Sequence, residues 1–104
     1  MSKKIYVINR ASHDYGEAER FGHVEYLSEG PINRYATNKI YRQMEDKLSQ
    51  SNPEDYILLT GLTVMSSIAC AIFAHKHGRL NLLIFRPDSH TYAERRLIIG
   101  KKEQ

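Results

Sequence analysis

Apolar residues in this chain come in short unbroken runs separated by polar punctuation. Ile5-Tyr6-Val7-Ile8 follows Lys3 and Lys4, and the same texture returns in Tyr56-Ile57-Leu58-Leu59 and from Leu80 to Phe85. Runs of this length without alternation mark parallel strands buried on both faces. Val24 to Ser28 differs, because Glu25 alternates with Val24 and Tyr26. That pattern predicts a strand of edge character, broken by Ser28-Glu29-Gly30-Pro31. A fifth strand, from about Tyr92 to Ile99, follows the turn cluster Arg86-Pro87-Asp88-Ser89-His90-Thr91 and is expected to run antiparallel at the sheet edge.

Helical spacing appears twice. Tyr35, Ile40, Tyr41, Met44 and Leu48 recur at three-and-four intervals, with Lys39, Arg42, Gln43, Glu45, Asp46 and Lys47 on the wet face. Asn33 is the expected N-cap, and Ser51-Asn52-Pro53 ends the helix. Val64 to Ala74 is apolar nearly all round, which predicts burial against the sheet and against a neighbouring layer or subunit. Thr63 is the expected cap of that helix, and Gly78 its left-handed close. His75, Lys76 and His77 complement the helix dipole in the last turn. Asn9 to Gly22 is polar, with a short helical turn over Glu17 to Phe21.

Alternating strands and helices give an α/β class: a single Rossmann-like three-layer domain over residues 1–104, with the tail 100–104 frayed. Right-handed crossovers give a mostly parallel five-stranded sheet of order 2-1-3-4-5, whose C-terminal edge strand is antiparallel. The winding direction reverses between strands 1 and 3, and open α/β sheets bind ligands at such a point, beyond the carboxyl ends of the strands. The candidate ligand-binding residues are therefore Asn9, Arg10, Ser12 and His13 after strand 1, Thr60, Gly61 and Thr63 after strand 3, and Arg86 after strand 4. Ser28 and Glu29 flank them on strand 2. Gly61 would let backbone approach an anion, the following helix would offer free N–H groups, and Arg10 would pair with the charge.

Composition adds limits. At 41% hydrophobic and 26% charged the chain is an ordinary globular domain, and its net charge of +3 tilts only mildly towards anionic partners. Residues 56–74 carry no charge, but Thr60-Gly61-Leu62-Thr63 interrupts them, so a buried strand and helix are expected rather than a membrane span. No secretory signal follows Met1, and Cys70, the single cysteine, has no disulfide partner, so a cytoplasmic setting is expected.

No catalytic signature is present. His13-Asp14 are adjacent residues with no nucleophile spaced to join them, and read as loop chemistry. His75 and His77 point apart on a helix and lack further ligands, so no metal is expected. Ser66 and Ser67 lack the flanking glycines of a nucleophile elbow and read as packing residues. No cofactor is implied, and a non-enzymatic role is favoured. Arg95, Arg96, Lys101 and Lys102 form the densest basic cluster. It would guard the edge strand against aggregation, or else serve nucleic acid with a steep salt dependence.

The segments Leu58-Leu59-Thr60-Gly61 and His77-Gly78-Arg79-Leu80-Asn81-Leu82-Leu83, with Asn9 after the opening strand, resemble a group of small α/β proteins encoded by tailed phages. The resemblance runs from Ile5 to about Tyr92. It implies a protein made in the host cytoplasm during infection and carries no assigned active site. Many members of that group have Asn where Ser66 or Ser67 stands, so it assigns no polar role there. The expectation drawn from all of this is a binding module for a small anionic, nucleotide-like ligand, with countering host defence as its expected purpose. The alternatives are a module inhibiting a host enzyme through its surface and a basic nucleic-acid-binding accessory protein. A homo-oligomer through helix 64–74 is expected in addition.

Overall fold

The computed structural model describes residues 3–10 and 14–100. Strands β1 (Lys4–Val7), β2 (His23–Tyr26), β3 (Tyr56–Leu58), β4 (Arg79–Arg86) and β5 (Thr91–Ile98) form one sheet in the order β2-β1-β3-β4-β5. β1 pairs in parallel with both β2 and β3, β3 pairs in parallel with β4, and β4 and β5 form an antiparallel hairpin. Every residue of β3 is buried, as the unbroken apolar runs require of a central parallel strand.

Helices α1 (Thr37–Leu48) and α2 (Thr63–His77) share one face. Ile40, Met44 and Leu48 of α1 join Met65, Ala69 and Phe73 of α2 over Tyr6, Ile8, Ile57 and Leu80 of the sheet. Full burial of side chains such as Phe73 and Met44 contributes about 1.5–3 kcal/mol each. The opposite face is thinner. A five-residue 3-10 helix, Gly16–Arg20, brings Ala18, with Tyr15, over Ile5, Val7, Tyr56, Leu58 and Leu83. The third layer is thus this one turn and its flanks, and the 3-10 helix itself packs against β5 and β2.

Three local expectations change. Asn33 does not cap α1: its Oδ1 accepts the Tyr35 N–H at 3.0 Å in a turn before the helix, and Ala36 stands at the N-cap. Tyr35 consequently precedes the helix and is exposed, while Tyr41 faces solvent and donates its hydroxyl to Glu45. Thr63 is the first helical residue of α2 rather than its cap; Leu62 holds that position, without a side-chain hydrogen bond. Gly78 does close α2, at φ 69° and ψ 13°, where a β-carbon is unfavourable. The chain 56–74 divides between β3 and α2, and no helix among the described residues is long and apolar enough to cross a membrane. The tail 101–104 lies outside the described residues.

Candidate functional site

Because the chain crosses from β2 to β3 over the sheet, the β2–α1 connection passes the start of α2. There Ile32 and Arg34 meet Gly61, Leu62, Thr63, Val64 and Met65 around a cavity of about 270 Å³. The walls combine a backbone turn, the first turn of a fifteen-residue helix and one guanidinium.

The first intrahelical bond of α2 runs from the Ser66 N–H to the Leu62 carbonyl at 2.8 Å. The N–H groups of Thr63, Val64 and Met65 precede it, and no side chain caps them. A leucine at the N-cap supplies no acceptor, and so leaves these donors to water or to a ligand. The Thr60 hydroxyl instead accepts the Leu62 N–H at 3.3 Å, and the Thr60 carbonyl accepts from Ser66 Oγ at 3.5 Å. These contacts hold the turn without filling the mouth of the helix.

Gly61 is exposed and its φ is not positive, and a β-carbon added there meets nothing within 4 Å. The fold itself therefore does not demand a glycine at this position. Arg34 is exposed. It lies over the Tyr35 ring, 5.3 Å from its centroid, donates to the Tyr35 hydroxyl at 3.3 Å, and is in no ion pair among the described residues.

The residues expected from sequence divide into groups. Gly61 and Thr63 line this cavity; Thr60 does not, but holds the turn through Leu62 and Ser66. Asn9 is spent on structure: its Oδ1 accepts from Ser28 Oγ at 2.9 Å and its Nδ2 donates to the Gly30 carbonyl at 3.3 Å. Arg10 forms a parallel bridge with Glu29, and its guanidinium lies 5.2 Å from the centroid of the Tyr26 ring, beside the 3-10 side of the sheet. Arg86 ends β4 at the tip of the hairpin and does not line the cavity. Ser12 and His13 lie outside the described residues. Ile32 and Arg34 were not among the sequence candidates. The one available signal was the length of the β2–α1 connection, which must travel past strand 1 to reach helix 1.

Elsewhere the side chains are engaged in structure. The Cys70 thiol is pushed up by burial, which disfavours a reactive thiolate. His77 sits against Phe73 and 2.8 Å from Ser51 Oγ, and burial lowers its pKa. No group of three or more His, Cys, Asp or Glu among the described residues could hold a metal ion. A larger and more open groove lies between α1 and α2, where Arg42 and His75 join polar groups that are partly in use. Lys76 donates to the Ser49 carbonyl, and the Tyr41 hydroxyl to Glu45. The mouth of α2 is the better site because its donors are free.

Comparison with known proteins identifies a family. A family described as Phage Pam3 gp32-like protein matches residues 3–99. No curated protein and no solved structure matches.

Proposed function

The chain belongs to the Phage Pam3 gp32-like protein family, and we propose that it is a binding module that captures a small anionic ligand at the start of α2. The observation that carries this reading is the uncapped first turn of α2 beside a glycine that the backbone does not require. Three convergent N–H groups, a helix dipole and the Arg34 guanidinium together favour a phosphate or carboxylate. The cavity volume of about 270 Å³ suits a phosphate with part of a nucleoside better than a large organic ligand.

The reading is capture rather than catalysis, since the described lining offers backbone donors and one guanidinium, groups suited to holding an anion. For a phage-family protein, sequestering a nucleotide-derived signal from host defence is the purpose this reading assigns. Native mass spectrometry of the freshly purified, untagged protein tests it. Retained mass in the nucleotide range, lost in Gly61→Val, is expected. Retention of the same mass by Gly61→Val would move the ligand to another site.

A further inference from the structure

The outer edge of β5 is open. Among the described residues β5 pairs only with β4, and its second half, Glu94 to Ile98, is exposed, with Ile98 at 74%. Just beyond the strand the Ile99 N–H points inward to the Gly78 carbonyl at 2.8 Å. Backbone groups alternate sides along an antiparallel strand. The N–H and C=O groups of Tyr92, Glu94, Arg96 and Ile98 therefore face outward, without a strand to pair with.

We propose that this edge pairs with the same edge of a second copy, extending the sheet across a two-fold axis at Arg95. The charge pattern selects both the occupant and the register. With Arg95 opposite the partner's Arg95, Glu94 falls opposite the partner's Arg96, and Arg96 opposite the partner's Glu94. On the same face Tyr92 meets the partner's Ile98, and on the other Ala93 meets the partner's Leu97. Cross-strand neighbours of opposite charge or shared apolar character stabilise such a pair. A slip of two residues one way sets Glu94 against the partner's Glu94; the other way sets Arg96 against the partner's Arg96. Each of the three registers opposes one pair of like charges, and only the first adds two Glu94–Arg96 pairs of opposite charge.

Arg95 guards this edge in the single chain. Its guanidinium folds back to donate to the outward Glu94 carbonyl at 2.7 Å. Pairing displaces that contact and brings two arginines together at the axis, so the dimer is concentration-dependent rather than permanent. A basic residue on an edge strand blocks promiscuous strand addition. Here it does so while leaving one self-complementary register open.

Sedimentation velocity over a range of protein concentrations tests the proposal with the whole chain. The parent protein is expected to dimerise. Glu94→Arg alone and Arg96→Glu alone each place like charges opposite one another twice, and each weakens the dimer by about tenfold or more. An equimolar mixture of these two variants restores it, because each strand then supplies what the other lacks. Arg95→Thr removes the guard and tightens the dimer. Restoration in the mixture and tightening by Arg95→Thr cannot arise from general destabilisation, so they separate pairing from misfolding. A parent protein monomeric at every concentration overturns the proposal. So does a dimer that ignores these charge changes and is broken instead by Ala71→Asp in the groove between α1 and α2.

Discussion

Asn81, buried in β4, donates its Nδ2 to the carbonyl oxygen of Asp55 at 2.7 Å, and the same nitrogen reaches the Pro53 carbonyl at 2.7 Å. Asp55 completes the clamp with its carboxylate, which accepts the backbone N–H groups of Lys4 and Asn52. Three strands are thereby fastened at their amino ends, opposite the candidate ligand site. Asn81→Leu is expected to leave two carbonyl oxygens unpaired and to cost about 2–4 kcal/mol of stability. Chemical denaturation measures this, and a loss well under 1 kcal/mol would contradict it.

The candidate ligand site separates cleanly from the core. Gly61→Val is expected to leave the melting temperature almost unchanged, since a β-carbon there meets no neighbour, while blocking anion binding. Arg34→Ala is expected to weaken binding by about tenfold, the loss of one charge-assisted contact of about 1.4 kcal/mol. Arg10→Ala is expected to leave binding alone, because its guanidinium lies over Tyr26. Isothermal titration with nucleotides and with pyrophosphate compares all three.

His77 gives stability an acid-side slope. Burial foremost, and Lys76 beside it, hold its pKa below the ordinary 6.5. The unfolded chain therefore binds more protons than the folded one as pH falls through that region, and stability falls with it. Above about pH 6.5 the effect is saturated. His77→Gln is expected to flatten the slope in a series of thermal melts between pH 5 and pH 7.

On the alkaline side two phenols resist ionisation. Burial raises Tyr6 to about 12, and burial with the hydrogen bond to Glu94 does the same for Tyr56. Unfolded tyrosines ionise near 10, so stability is lost as pH rises above that value. Ultraviolet titration of Tyr56→Phe is expected to lose part of the latest-ionising absorbance. An unchanged late phase would remove Tyr56 from that group.

Much of this fold was legible because burial writes itself into composition. A strand covered on both faces, such as Tyr56-Ile57-Leu58, admits almost no polar residue, and Gly78 marks the left-handed close of α2. The caps were less legible. Asn33 and Thr63 are good cap residues, but Asn33 serves a turn and Thr63 enters the helix, since several local hydrogen bonds compete for the same side chains. Asn81 has a structural role that sequence could not assign without its partner Asp55. Arg34 was invisible for a different reason: its place beside α2 depends on the path of a connection between distant elements.

The central claim is that an anion sits on the first turn of α2. The most direct measurement is an amide NMR titration of isotope-labelled protein with pyrophosphate and with nucleoside mono- and diphosphates. The account predicts saturable shifts concentrated at Thr63, Val64 and Met65, abolished in Gly61→Val. Shifts scattered over the lysines and arginines of the surface, or none at all, would contradict it.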